Sequence, residues 1–283
     1  VTAFTPTIRI VSAFGFAVFA TGPAYATAAA DDLFGYSTRF AGAPLGDVQK
    51  AAQAGDGVAQ LELGHRYYSD QALKDDKTAL YWFQKAADQH VGWAEYEAAT
   101  MYENGEGTAA APEKAFTLYQ AAAHDGVVRA DADLGIMYLS GDGTAKDVGQ
   151  AFTWFKAGTD AGEPRAECGL AILYRDGLGV TRDYTAARKL FRASAAQRFA
   201  PAAYALGDMI KQGQGGDKDL VVGQAWRIMG KYLEAPKPDK IPEDAQVVGA
   251  VLVSPDLTEQ QNHDAEAYYF KLMKELGFSK PAG

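Results

Sequence analysis

The chain has 283 residues, 48% of them hydrophobic and 22% charged, a balance that suits a packed protein and excludes a disordered or membrane-embedded chain. Its 36 acidic residues outnumber 27 basic ones, for a net charge of −9, and no basic run occurs. That disfavours nucleic acid and anionic membrane as partners, because both demand clustered Lys and Arg to displace counterions.

The opening residues predict an export signal over 1–26. Arg9 precedes the apolar run Ile10 to Ala20, Gly22-Pro23 breaks any helix, and Ala24-Tyr25-Ala26 fits the small-x-small cleavage rule. Cleavage after Ala26 is favoured, and Ala28 and Ala30 are alternative ends. Eleven apolar residues fall short of the roughly 20 that span a bilayer, so a cleaved signal is expected rather than an anchor. Its removal takes away Arg9 and no acid, leaving 26 basic against 36 acidic residues in a periplasmic or secreted chain. Residues 27–55 form an N-terminal segment in which Asp47 to Gly55 reads as the end of a helix that caps the residues after it.

From there the chain repeats itself. Ala59, Ala94, Ala130, Ala166 and Ala202 recur every 35 or 36 residues, and Ala79, Ala115, Ala151, Ala187 and Ala225 keep step with them at spacings of 36 to 38. Two ladders with one period mean two helices per unit. Five residues after the first alanine stands another small residue (Gly64, Ala99, Gly135, Ala171, Gly207), which lets helices approach closely. Eight residues after it stands an aromatic, Tyr67, Tyr102, Tyr138 or Tyr174, with Ile210 in the last unit. Paired glycines then turn the chain: Gly105 and Gly107, Gly141 and Gly143, Gly177 and Gly179, Gly213 and Gly215. The first unit has Asp70 and Ala72 there, so its turn is expected to be built differently. Asp147 and Asp183 suit the positive start of the second helix, and Trp82-Phe83, Leu118-Tyr119, Trp154-Phe155 and Leu190-Phe191 share the face of its alanine.

After the fifth unit, the proline-rich run 235–242 reads as a linker. Residues 243–283 are expected to cap the array with two helices, about Glu243 to Val253 and Glu259 to Leu276. Thr258 and Gln261 announce the latter as a capping box.

The stretches ADLGIMYLSGDGTAKD (132–147), AFTWFKAGTDAG (151–162) and GLAILYRDGLGVTRD (169–183) resemble the Sel1-like repeat, a relative of the tetratricopeptide repeat. The resemblance covers residues 56–234 as units of about 56–91, 92–127, 128–163, 164–199 and 200–234. It implies an all-α fold: a right-handed α-solenoid of about five helix-turn-helix repeats, with an N-terminal half-repeat cap and C-terminal capping helices. It also implies a bacterial exported type, since such proteins often regulate envelope signalling, secretion or host interaction.

Other motifs resolve into structure. The Gly-x-Gly turns recur with the period and are flanked by helices, unlike phosphate loops. His65, His90, His124 and His263 show no metal-ligand spacing, so no metal is expected, and no cofactor. Cys168 is the only cysteine, which rules out an internal disulfide, and it reads as a buried small hydrophobe. Cysteine-rich secreted relatives described as β-lactamases carry a cysteine pair in each repeat. One cysteine makes that enzyme reading the weakest, and no enzyme is expected.

What remains is a stripe on each first helix at two, six and nine residues after the ladder alanine. By resemblance to tetratricopeptide arrays it would line a concave groove. The expected contacts are His65 and Tyr68; Tyr96, Thr100 and Glu103; Ile136 and Leu139; Ile172 and Arg175; and Asp208 and Lys211. Leu61, Ala132, Cys168 and Tyr204 occupy other stripe positions. Mixed aromatic, apolar and charged groups suit a peptide segment or helix of another protein. A carbohydrate-binding or polysaccharide-export accessory is the alternative, motivated by Tyr68, Tyr96 and Tyr204.

Overall fold

A computed structural model describes residues 38–234 and 254–278. The export signal, the proline-rich linker and the helix expected over 243–253 lie outside the described residues. Those described hold twelve α-helices and no strand. They are α1 (Leu45–Gln53), α2 (Gly57–Ser69), α3 (Asp76–Ala87), α4 (Gly92–Asn104), α5 (Pro112–His124), α6 (Arg129–Ser140), α7 (Val148–Asp160), α8 (Pro164–Asp176), α9 (Tyr184–Ala196), α10 (Ala200–Gln212), α11 (Leu220–Leu233) and α12 (Glu259–Glu275). Helices α2 to α11 form five pairs, an all-α solenoid.

All ten ladder alanines are completely buried. A methyl side chain at the contact lets two helix backbones approach while still removing apolar surface from water. The neighbouring glycines mark tighter places. A Cβ on Gly135 would stand 2.5 Å from the Phe155 ring, and one on Gly169 would stand 2.4 Å from the same ring. Phe155, on a second helix, is therefore wedged between the first helices of its own unit and the next. Phe83, Tyr119, Phe191 and Met229 occupy the same register and are at most 1% exposed. The sequence put both members of each bulky pair on the alanine face. The structure buries the one four residues on and leaves Trp82, Leu118, Trp154 and Leu190 half-buried, because three residues on lies on the outer shoulder of that face.

The turns follow the glycines. Gly105, Gly141, Gly177 and Gly213 end the first helices in the left-handed conformation. The second glycine of each pair also approaches a neighbour. A Cβ on Gly143, at φ 71°, would lie 2.3 Å from the Pro112 carbonyl oxygen at the start of α5. In the first unit Asp70 ends α2 with φ −78°, in extended backbone, as the missing glycines required.

The chain divides into two compact units. The first comprises described residues up to 130 together with 137–146, and the second comprises 131–136 and the remainder from 147. In the first, α1 packs on α2 and buries Val48 and Ala52 with Ala59 and Leu63. In the second, α12 packs on α11 and places Ala265, Tyr269, Leu272 and Met273 in one apolar cluster with Trp226 and Met229. The Thr258 capping box starts α12.

Candidate functional site

In the first unit the stripe lies against the second helix of each pair. The His65 ring meets Phe83 edge-on at 5.0 Å, and its Nε2 is 3.9 Å from Glu97 Oε1. Burial pushes the Glu97 carboxyl up to about 7 and the His65 imidazole down to about 4, so both approach neutrality in the fold. The nearby Arg129 partly offsets the rise at Glu97, and Glu106 adds to it. The Tyr68 hydroxyl donates to Glu106 Oε2 at 2.8 Å, which ties α2 to the turn after α4. Burial, with that hydrogen bond, pushes the phenol above its ordinary range.

Tyr96 packs between Trp93, at 5.6 Å, and Tyr119, at 5.5 Å. The Tyr119 hydroxyl donates to Glu103 Oε2 at 2.7 Å and lies 3.2 Å from Thr100 Oγ1. Tyr96, Thr100 and Glu103 thus converge on one buried phenol. Leu139, also in this unit, is half-buried.

In the second unit Ile136 is exposed and Ile172 packs on the apolar cluster. The Arg175 guanidinium donates to the Asp176 carboxylate at 2.7 and 2.8 Å and stands 5.9 Å over the Phe191 ring. Asp208 accepts from Arg227, and Lys211 Nζ is 3.7 Å from Asp256. Burial pushes the Cys168 thiol up to about 12, which removes it as a nucleophile. Leu61, Ala132 and Cys168, at the first position of the stripe, are buried. The stripe is therefore open only toward the C-terminal end of those helices, because the start of each helix faces its neighbours.

Two features escaped the sequence reading. Arg165 forms a bidentate, largely buried ion pair with Asp133, and Arg129 bears on Glu97 in the same register one unit earlier. The signal was a basic residue just before the ladder alanine and an acid three residues after the preceding one. The other is a meeting of His90, Glu95 and Asp125 at two successive inter-repeat turns, with one ligand atom from each within 4.8 Å of the others. Spacing along the chain conceals it.

Comparisons agree with this geometry. The model of the Sel1 repeat matches residues 57–91, 94–127, 128–163, 164–199 and 200–226. Among solved structures, the chain is similar to a Sel1 repeat protein from Oxalobacter formigenes at 30% identity and TM-score 0.64, over 76% of this chain and 90% of that one. It is also similar to a protective antigen present in uropathogenic Escherichia coli strains, described as displaying an SLR fold. There the identity is 28% and the TM-score 0.61, over 81% of this chain and 49% of that one, so this chain spans about half that antigen's length. No curated protein matches.

Proposed function

Because this chain belongs to the Sel1 repeat family, we propose that it is a non-catalytic scaffold of the bacterial envelope, gripping a peptide segment or helix of another protein along the first-helix stripe. Repeats of this family serve as protein-interaction scaffolds. The observation that carries the reading is the character of the half-buried stripe. Aromatic rings and charged groups are held in place by their own neighbours, Tyr96 by two rings and Arg175 by a carboxylate, so little side-chain freedom is lost on binding. Export rests on the apolar run and small residues before position 27. No helix among the described residues is long and apolar enough to cross a membrane.

The polysaccharide reading draws no support from the tyrosines. Tyr68 has Lys74 over its ring, Tyr96 packs on two rings, and Tyr204 faces Gly230 while its hydroxyl donates to Glu234 at 2.9 Å. These are contacts within the chain, and none of them points to a sugar.

The test is quantitative capture from envelope extract with wild type, Tyr96→Ala, Arg175→Ala and the second-helix control Lys189→Ala. A centrally placed aromatic or Arg anchor is worth ~2 kcal/mol or more, so the first two variants should weaken capture about 30-fold. The control should bind like wild type. Equal capture by all four proteins would exclude the stripe.

A further inference from the structure

We infer that His90, Glu95 and Asp125 form a site for one divalent transition-metal ion of the zinc class, separate from the stripe. The three residues come together by stacking of repeats. His90 follows α3, Glu95 lies in the first turn of α4, and Asp125 follows α5. Gly92 permits this approach, since a Cβ there would already stand 3.0 Å from the Asp125 Cβ.

Glu95 points to a ligand. It is only 3% exposed, its Oε1 lies 3.6 Å from His90 Nδ1, and its Oε2 is buried with no hydrogen-bond partner. A buried carboxylate oxygen left without donor or cation is costly, and here a second carboxylate, Asp125, faces the same space. A divalent cation would satisfy both. The His124 imidazole adjoins from the outer side, with Nδ1 3.0 Å from Asp125 Oδ1. That contact can orient the Asp125 carboxylate as outer partners of metal ligands do.

The donor set selects the metal class. One imidazole nitrogen and two carboxylate oxygens suit zinc and its neighbours, whereas calcium and magnesium call for six or more oxygens. Ligand bonds of about 2.0–2.2 Å in a tetrahedral site separate donor atoms by roughly 3.3 Å. The His90–Glu95 separation of 3.6 Å is close to that. All three donor atoms lie within 4.8 Å of one another, so the exposed side chains of His90 and Asp125 draw in by up to about 1.5 Å on binding, and the ion can enter from solvent. The fourth position is left to water.

The full untagged chain, stripped with chelator, is titrated with zinc chloride by calorimetry, with magnesium and calcium chloride as controls. Wild type should bind one zinc per chain, with no comparable magnesium or calcium isotherm. His90→Gly keeps the backbone at ease, since His90 sits at φ 57°, and Asp125→Asn is a surface change. Each should weaken zinc binding at least tenfold with an unaltered helical spectrum, while His263→Asn on α12 binds like wild type. Zinc should also raise the thermal midpoint of wild type, and not that of Glu95→Gln. The inference is overturned if wild type gives no zinc isotherm, if His90→Gly and Asp125→Asn bind as tightly as wild type, or if magnesium or calcium binds equally well.

Discussion

Single residues separate two demands that the repeat makes of glycine. Gly126 has φ 87° but open space around a would-be Cβ, whereas Gly143 has φ 71° and the Pro112 carbonyl 2.3 Å away. Gly126→Ala should therefore cost only the conformational ~1 kcal/mol, and Gly143→Ala at least ~2 kcal/mol once the collision is added. Urea titrations of the two variants measure the difference. His90 and Arg198 take positive φ at positions 36 residues either side of Gly126 and Gly162, which shows that this turn tolerates a side chain. A second residue-scale expectation concerns pH. Folding raises Glu97 from 4.5 to about 7, so the folded state holds a proton that the unfolded state has released. That stabilisation is lost as pH rises through this window. Folding lowers His65 from 6.5 to about 4, so its contribution runs the other way, gaining stability as pH rises toward 6.5. The two slopes oppose each other between about 4.5 and 6.5. Glu97→Gln removes one of them. Its stability should rise with pH across that window more steeply than wild type, by up to about 1.4 kcal/mol per pH unit, the slope for one proton. Parallel curves for the two proteins would show that Glu97 is not perturbed as described.

At the scale of elements, the second helices differ in how they begin. Asp75, Asp147, Asp183 and Asp219 accept hydrogen bonds from the first-turn amides of α3, α7, α9 and α11, while α5 starts at Ala111-Pro112 with no side-chain cap. Asp147→Ala should cost ~1 kcal/mol, and Ala111→Asp should gain a similar amount, both read from the denaturation midpoint. These helices were legible in the sequence because alanine, glycine and aspartate each serve one geometric need that recurs in every unit. The stripe was legible only in part. Periodicity fixes which way Leu61, Ala132 and Cys168 point, but their burial depends on how far each pair overlaps the next, which no local pattern records. The Arg165–Asp133 pair and the His90, Glu95 and Asp125 cluster were hidden for a related reason. Arg165 stands about one repeat from Asp133, as Asp125 does from His90 and Glu95, so these groups meet only once the stacking register is known.

For the whole molecule, repeat arrays gain stability from nearest-neighbour interfaces, so an end needs a cover. Helix α12 supplies one, holding Tyr269, Leu272 and Met273 against Trp226 and Met229. Removing residues from 254 onward should lower the thermal midpoint and raise binding of an apolar dye. An unchanged midpoint would show that α12 is not a cap. The close approach of each turn's second glycine to the preceding unit has a further consequence. Gly179 fits against Val148 at the start of α7, and Gly215 fits against Tyr184 at the start of α9, so the two joints share one design. Excising residues 164–199 would let the second kind of joint close on the first. The shortened chain should remain helical and fold cooperatively. The repeat is in this sense a cassette. Recombination between copies can lengthen or shorten the protein in whole units without inventing a new interface, so copy number becomes a heritable variable on which selection can act separately from the chemistry of any one stripe.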